Sequence, residues 1–256
     1  LGRLALARAE IVREKNNPEQ AEEETRAQPQ EEEAPHTAGT AEERLLAFIG
    51  GKSESSLLMD AFNILLEEDI FRTNPQALEK LTGWVNARDA GRQPAAMYAM
   101  GSLLLAKDDL AGAVKMAEDG LSKYPQSLPV QTLSLNTIPT LLDKNRVEDA
   151  ERLISKYPGT SPGLVFQQGA LAFRKGDYPL AQSLFREAAR RASEKTAESA
   201  LFNENLAALN ANDAAGAAAL VKEAAGSAQL REHILFAQAH YAAKRKNTPA
   251  PELLAA

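Results

Sequence analysis

Apolar residues recur at every third or fourth position along the chain from Thr40 onward, which is the spacing of amphipathic helices. No segment shows the regular apolar–polar alternation that is typical of a strand. The pattern therefore predicts an all-α fold. The predicted helices after residue 40 cover 41–50, 53–71, 75–90, 94–106, 109–123, 127–143, 147–157, 162–174, 178–193, 198–210, 214–225 and 229–246.

Several of these helices have recognisable ends. Thr40 is a predicted N-cap, because its hydroxyl can accept a hydrogen bond from an unpaired backbone N–H of the first turn. Gly50 and Gly51 close the same helix, since glycine commonly ends helices. Asn74 followed by Pro75 predicts a second N-cap with proline in the first turn.

The chain before residue 40 has two parts of different composition. Residues 1–16 are predicted to form an N-terminal helix with Leu4 and Ile11 near one face. Residues 17–40 are rich in Glu, contain proline and lack large apolar side chains. Such a segment buries too little surface to offset its ordering entropy, so we expect a flexible acidic linker. A tail that binds a partner is the alternative interpretation.

Two stretches of the chain, 101–125 and 169–192, have similar sequences 68 residues apart. Between them, Ala150 lies 37 residues after Ala113 and 31 before Ala181, so the offset divides into two periods near 34. The predicted helices accordingly fall into pairs. Four pairs of residues share the offset of 68: Gly101 and Gly169, Lys107 and Lys175, Asp109 and Asp177, and Ala113 and Ala181.

A helix pair that repeats about every 34 residues resembles the tetratricopeptide repeat family, here over about residues 94–225. The resemblance implies that Gly101 and Gly169 lie midway along first helices, where the second helix of the pair crosses closely. It also implies that small residues fill the tight contact low in each second helix. No unit has the family's early Trp, and units 127–157 and 198–225 are degenerate. The residues expected in the tight contact are Ala113, Ala150, Ala181 and Ala217.

The resemblance implies a right-handed α-solenoid of antiparallel helix pairs with capping helices. Stacked pairs bury a continuous core that no single pair can form. In the last helix we expect Leu230, Ile234, Leu235 and Ala237 to face the stack and charged residues to cover the rest. The predicted segments are 1–16, N-terminal helix; 17–40, linker; 41–91, N-terminal helices that include a degenerate repeat; 92–225, repeats; and 226–256, C-terminal capping helix and tail.

Composition excludes several functions. The chain has no Cys, which excludes disulfides, thiolate metal sites and Cys nucleophiles. A formal net charge of −6 without a long basic stripe argues against nucleic-acid binding. No stretch approaches the ~20 apolar residues that a membrane span requires. The start at Leu1 leaves two interpretations open, an excised piece of a longer protein and a mature form from which an upstream segment has been removed.

The sequence offers no convincing reaction centre. His233 and His240 lie two turns apart on one predicted helix, whereas a shared metal usually needs a spacing of three or four residues. His36 lies in the linker, and the "GGKS" at 50–53 lacks the spacing of a phosphate-binding loop. We therefore expect no catalytic residue, no metal and no cofactor, and a protein that is not an enzyme.

In the tetratricopeptide family, the first helix of each pair lines a concave groove. The resemblance places apolar residues where the family's best-known peptide site has a Lys/Asn/Arg clamp for a terminal carboxylate, so we expect no binding of that type. An apolar groove suits an apolar or amphipathic segment. The groove residues that the resemblance implies are Tyr98, Ser102, Leu105, Phe166, Ala170, Phe173, Arg174, Phe202, Leu206, Leu209 and Asn210.

The occupant of this groove is open at the level of sequence. Residues 1–15 or the C-terminal helix can fill it, a protein or peptide partner can bind it, or copies of the chain can associate through it, including by exchange of the N-terminal helix. If the groove is open, replacement of Phe166 by Ser is expected to spare thermal stability and to weaken partner binding.

Three functions fit these features. The first is a non-catalytic adaptor that organises a protein complex. The second is a carrier or chaperone for apolar cargo, such as a lipid or a hydrophobic segment. The third is a regulatory module of a larger envelope enzyme whose catalytic part precedes Leu1. The Ala-rich, Cys-free composition favours a bacterial protein, and the acidic spacer favours anchoring at the cell envelope over a cytoplasmic location.

Overall fold

The computed structural model describes Arg8, Ile11, Val12 and residues 39–51 and 55–244. Its described part is helical and contains no strand, so the predicted all-α class is confirmed. The helices are α1 (Ala41–Gly50), α2 (Ser55–Glu67), α3 (Ile70–Thr73), α4 (Pro75–Asn86), α5 (Gln93–Ala106), α6 (Leu110–Lys123), α7 (Leu128–Asp143), α8 (Val147–Lys156), α9 (Pro162–Arg174), α10 (Tyr178–Arg191), α11 (Glu194–Asn210), α12 (Ala214–Glu223) and α13 (Ala228–Lys244), with a 3₁₀ turn at Ala224–Gly226.

The predicted helix caps are present. Thr40 and Glu43 form a capping box at the start of α1, and Gly51 donates its N–H to the last carbonyls of that helix. Asn74 Oδ1 accepts hydrogen bonds from the backbone of Gln76 at 2.9 Å and of Ala77 at 3.2 Å. These ends are set locally, because each cap needs only residues within one turn of it.

The helix predicted over 53–71 is wrong in one respect, since it breaks at Asp69. That residue adopts a left-handed conformation with φ 59°, and the short helix α3 follows it. A continuous helix would turn Asp69 and Arg72 toward the face that buries Leu58 and Leu65. The break changes the direction in which the following residues face, so that Ile70 and Phe71 are buried instead.

Four turns between paired helices share one geometry. In each, a residue in the left-handed conformation donates its N–H to the carbonyl three residues earlier, and the next residue donates to the carbonyl five residues earlier. This is the Schellman arrangement that satisfies the last carbonyls of a helix. The left-handed residues, at intervals of 37, 31 and 36, are Asp108, Asn145, Gly176 and Asn212.

The small residues expected in the second helices are buried. Ala113 of α6, Ala150 of α8 and Ala181 of α10 are fully inaccessible, and Ala217 of α12 is nearly so. A larger side chain at these positions would meet close-packed neighbours. Burial of a small residue at the expected place in each second helix is therefore confirmed.

The chain divides into two compact units, Leu1–Ser134 and Leu135–Ala256. The division falls inside α7, within the segment 92–225 assigned to the repeats. It lies close to Pro139, which has no N–H and therefore leaves the carbonyl of Leu135 without its helical partner.

The first unit has one core shared by α1 to α5. Helix α5 packs against both α2 and α4. Ile11 is buried in this core, and Arg8 forms an ion pair with Glu67 of α2 at 3.0 Å. Arg8, Ile11 and Val12 are helical where they are described, as predicted for the N-terminal helix. The rest of that predicted helix, almost all of the linker and the tail after Lys244 lie outside the described residues.

The two glycines that begin the sequence repeat lie in different surroundings. A Cβ at Gly169 would lie 2.9 Å from two ring carbons of Phe185 in the partner helix α10, as the resemblance implies. A Cβ at Gly101 would lie 2.5 Å from both methyls of Leu133, which belongs to α7 and not to the partner helix α6. The position of α6 equivalent to Phe185 is Ala117. Because alanine cannot reach the glycine, a side chain from the next helix fills that space.

A second glycine supports the same contact. Gly120 of α6 faces Val130 of α7, whose Cγ1 would lie 2.9 Å from an added Cβ. Val130 and Leu133 are three residues apart, so they lie on one face of α7. The start of α7 thus packs against α5 and α6 where glycine makes room in both helices.

In the second unit, the helices from α8 to α13 pack against their neighbours in sequence. Helix α10 contacts α9 and α11, while α13 contacts both α11 and α12. The core is built from separate small clusters. One joins Ala172, Ala181, Phe185 and Ala207 of α9 to α11, and another joins Leu220, Val221, Ala224, Leu230 and Ile234 of α12 and α13.

Candidate functional site

The candidate surface in the second unit starts with the exposed side of α9. Phe166, Ala170 and Phe173 are spaced by four and three residues, so they form one stripe along the helix. All three are partly exposed and rest on the same cluster of α9, α10 and α11. We call these three residues the α9 stripe. It is the part of the expected groove that the structure brings together as one surface.

The two aromatic rings of the α9 stripe are held by neighbouring rings. Phe166 packs edge-on against Phe185, with ring centroids 5.3 Å apart. Phe173 packs edge-on against Tyr178 at 5.2 Å. Edge-to-face pairs of this kind fix ring orientation. Each ring of the stripe is therefore supported by a neighbouring aromatic ring.

Arg174 ends the stripe with a charge. Its guanidinium forms an ion pair with Asp143 of α7 at 3.0 Å, and both side chains are exposed. An exposed pair of this kind contributes little stability. It places a paired charge beside the apolar stripe.

The expected residues of α11 belong to other clusters. Phe202 packs with Leu220 and Ile234, and its ring meets that of His233 edge-on at 6.4 Å. Leu209 is buried, while Leu206 is partly exposed. The side chain of Asn210 donates to the carbonyl of Leu206 at 2.8 Å and so caps its own helix.

The expected residues of α5 lie in the first unit. Tyr98 is only 8% exposed, and its hydroxyl donates to Asn63 of α2 at 2.8 Å. Burial raises the pKa of Tyr98; a hydrogen bond with Ser102 opposes the shift, and the charge of Glu67 adds to it. Ser102 and Leu105 are partly exposed. Helix α2 thus covers the aromatic ring that the resemblance assigned to the groove.

Sequence reasoning missed a buried carboxylate. Glu204 of α11 is 0% exposed and forms an ion pair with Arg186 of α10. Burial raises its pKa, and Arg186 opposes the shift. The other charges that act on it are Glu223, which raises the pKa, and Arg190, which lowers it.

A buried amide contact lies next to Glu204. The side-chain nitrogen of Gln238 donates to Asn205 Oδ1 and to the carbonyl of Ala217, both at 2.8 Å. The sequence contains a signal for this polar interior. Position 204 continues the buried face that Ala200 and Ala207 define, yet it holds an acid.

The histidines do not form a metal site in the described chain. His233 and His240 are both exposed on α13. No group of three or more His, Asp or Glu suited to a metal ion occurs among the described residues. His36 lies outside them.

In the described part of the chain, no helix combines the length and the apolarity needed to cross a membrane. Comparisons of the chain with protein-family models, with curated protein sequences and with solved structures found no match.

Proposed function

We propose that this protein is a non-catalytic scaffold built on a tetratricopeptide-like, right-handed array of helix pairs. The observation that carries the proposal is the repetition of one turn geometry at Asp108, Asn145, Gly176 and Asn212, close to a period of 34. Proteins built from such repeats act through the surfaces that stacked helices present.

The partner segment binds the α9 stripe. Phe166, Ala170 and Phe173 offer an apolar face about two helical turns long, with spacing that matches the apolar face of an amphipathic helix. The rings are held in place before binding, which lowers the entropy lost on association. The partner is therefore a protein segment that presents apolar residues at intervals of three and four.

This proposal is favoured over a carrier of apolar cargo by the way the aromatic side chains pack. Phe166 and Phe173 belong to one cluster and Phe202 to another. Within the second unit the two groups of rings contact different helices, α9 to α11 for Phe166 and Phe173 and α12 and α13 for Phe202. A stripe on one helix suits a peptide segment better than a lipid chain, which needs enclosure on most sides.

The test is photocrosslinking in the cells that produce the protein. A benzophenone amino acid replaces Phe173, and a matched control carries it at the exposed Ala219 of the second helix α12. We expect a discrete adduct with another polypeptide from position 173 alone. Equal adducts from both positions would contradict the proposal.

A pair of charge insertions then tests the surface. Ala170→Glu places a carboxylate in the middle of the α9 stripe, whereas Ala219→Glu makes the same change on α12. Partner binding is expected to fall at least ~10-fold for Ala170→Glu only, since an unpaired charge in an apolar contact costs desolvation energy. Unchanged binding by that variant, or lipid that copurifies in stoichiometric amount by mass spectrometry, would refute the scaffold function.

Phe166 is a poor probe of this surface. Its ring packs on Phe185 and contacts two core clusters. Replacement by Ser therefore removes core contacts as well as surface, and the expectation that it spares thermal stability does not follow from this packing.

A further inference from the structure

The first unit contains a polar pocket that the proposed scaffold function does not use. It has a volume of about 410 Å³ and lies where the end of α4, the loop before α5 and the end of α6 meet. This volume is within the range of sites that bind small molecules. The described residues that line the pocket are Asn86, Arg88, Ala90, Gln93, Lys123 and Tyr124.

One wall of the pocket is a buried amide. Gln93 is only 6% exposed, and its side-chain oxygen accepts a hydrogen bond from the hydroxyl of Tyr124. Its side-chain nitrogen donates one hydrogen to the carbonyl of Val85 at 2.6 Å. The second hydrogen of that nitrogen has no acceptor in the described part of the chain. Gln93 therefore holds a donor at a fixed position in the pocket, where a ligand can accept from it.

Two cations at the rim of the pocket have no carboxylate partner. Arg88 of the loop and Lys123 of α6 are both exposed, and neither forms an ion pair with a described residue. Asp89, the acid next to Arg88, instead pairs with Arg92 and accepts the backbone N–H of Gly91. No acid is among the described residues that line the pocket. The positive charge at the rim is therefore not neutralised by this part of the chain.

The rim is positive even when the helix ends are counted. Helices α4 and α6 both end at the pocket, and each helix C-terminus carries about half a negative charge. The two ends together contribute roughly one negative charge, whereas Arg88 and Lys123 contribute two positive charges. A concave site with an excess of positive charge attracts anions.

We propose that this pocket binds a small molecule through its phosphate group. The lining offers N–H donors from several directions, and they belong to Asn86, Arg88, Gln93 and Lys123. A phosphate group presents three strong acceptor oxygens and can meet donors on several sides, whereas a carboxylate has two oxygens in one plane. The site lies within the first unit and is separate from the α9 stripe, so it does not depend on the proposed function.

An NMR titration of the full chain tests the proposal, with backbone amide shifts as the readout. Inorganic phosphate is the first probe, and acetate at equal ionic strength is the carboxylate control. We expect phosphate to cause saturable shifts at Asn86, Arg88, Gln93 and Lys123, with a dissociation constant on the order of 1 mM. Acetate is expected to bind at least ~10-fold more weakly.

Two further probes test the size of the ligand. Ribose 5-phosphate is expected to bind more tightly than inorganic phosphate, because its sugar fills space in the pocket that phosphate leaves empty. A short peptide that contains one phosphoserine is expected to bind no more tightly than inorganic phosphate. Tighter binding of this peptide than of ribose 5-phosphate would overturn the assignment of a small molecule.

Single substitutions test the two cations. Arg88→Gln and Lys123→Gln are each expected to raise the dissociation constant for phosphate at least ~10-fold, since each removes charge-assisted hydrogen bonds. Both side chains are exposed, so the fold is expected to be unchanged. Lys115→Gln is the matched control, because Lys115 is exposed on the same helix and does not line the pocket.

Three results would overturn the phosphate site. The first is the lack of saturable shifts at the pocket residues up to ~50 mM phosphate. The second is an equal dissociation constant for phosphate and acetate. The third is an equal loss of binding in the Lys115→Gln variant, because the chain would then respond to its net charge and not to the pocket.

Discussion

The contact between Leu133 and Gly101 predicts opposite effects for the same substitution at two glycines. Gly101 of α5 has both methyls of Leu133 within 2.5 Å of the place where a Cβ would lie. Gly83 of α4 is exposed, and nothing lies within 4 Å of its added Cβ. Both are helix-interior glycines with ordinary backbone angles. Replacement of each by Ala therefore isolates the cost of the close contact.

The magnitudes follow from two terms. Alanine stabilises a helix interior by roughly 0.5–1 kcal/mol relative to glycine, and this term is common to both sites. At Gly101 the new methyl also forces Leu133 to move, an overpacking that costs roughly 1–3 kcal/mol. Gly83→Ala is therefore expected to raise the free energy of unfolding. The free energy of unfolding of the Gly101→Ala variant is expected to be about 1–3 kcal/mol lower than that of the Gly83→Ala variant.

Fluorescence of the single tryptophan provides the assay. Trp84 lies in the first unit, where its ring packs edge-on against Phe62 at 5.8 Å, so it reports unfolding of the unit that contains both glycines. Urea titrations of the two variants and the unaltered chain give the free energies. If Gly101→Ala stabilises as much as Gly83→Ala, Leu133 does not occupy the space above the glycine.

A double-mutant cycle gives a second check. Leu133→Ala alone is expected to cost about 2–5 kcal/mol, because it leaves a cavity above Gly101. In the Gly101→Ala background the new methyl fills part of that cavity. The two changes together should therefore cost at least ~1 kcal/mol less than the sum of the single changes. Strict additivity would refute the contact.

Two further predictions concern ionisable groups in the second unit. Because burial raises the pKa of Glu204 above its usual 4.5, the folded chain binds this proton more tightly than the unfolded chain, and stability should fall as pH rises through the interval between the two values. Glu204→Gln is expected to remove that fall in thermal melts between about pH 4 and 8, and parallel curves for the two proteins would contradict it. The pKa of Asp213 is lowered by the backbone N–H of Gly216 and then by Gln182, so its contribution is present above the usual value of 3.8 and is lost as pH falls through the folded-state pKa. Asp213→Ala is expected to cost ~1 kcal/mol at neutral pH and progressively less in acid; a cost that does not change with pH would show that the carboxylate does not cap α12.

The helix pairs were predictable because their signals are local. Asp109, Asp177 and Asp213 each accept a backbone N–H at the start of a second helix, and a left-handed residue precedes each of them. Such turns need only the few residues that form them. The buried alanines followed from the repeat, because equivalent positions face the same kind of contact.

The candidate surface was predictable only in part. The α9 stripe follows from the period of the helix, which places Phe166 and Phe173 on one face. The coverage of Tyr98 by α2 does not follow, because it depends on a contact with Asn63, 35 residues earlier in the chain. The buried Glu204 was missed for a similar reason, since its partner Arg186 belongs to another helix.

By itself the sequence determined the all-helical class, most helix ends to within a few residues, and the burial of Ala113, Ala150, Ala181 and Ala217. Capping groups, turn residues and apolar period act over a few positions, so these features can be read along the chain. The tertiary structure alone decided that Leu133 fills the space above Gly101, that the helix is interrupted at Asp69, and that Phe236 is exposed. The reason is physical: each of these depends on which side chains from distant segments fill the same volume, and the local pattern of a helix does not specify its neighbours.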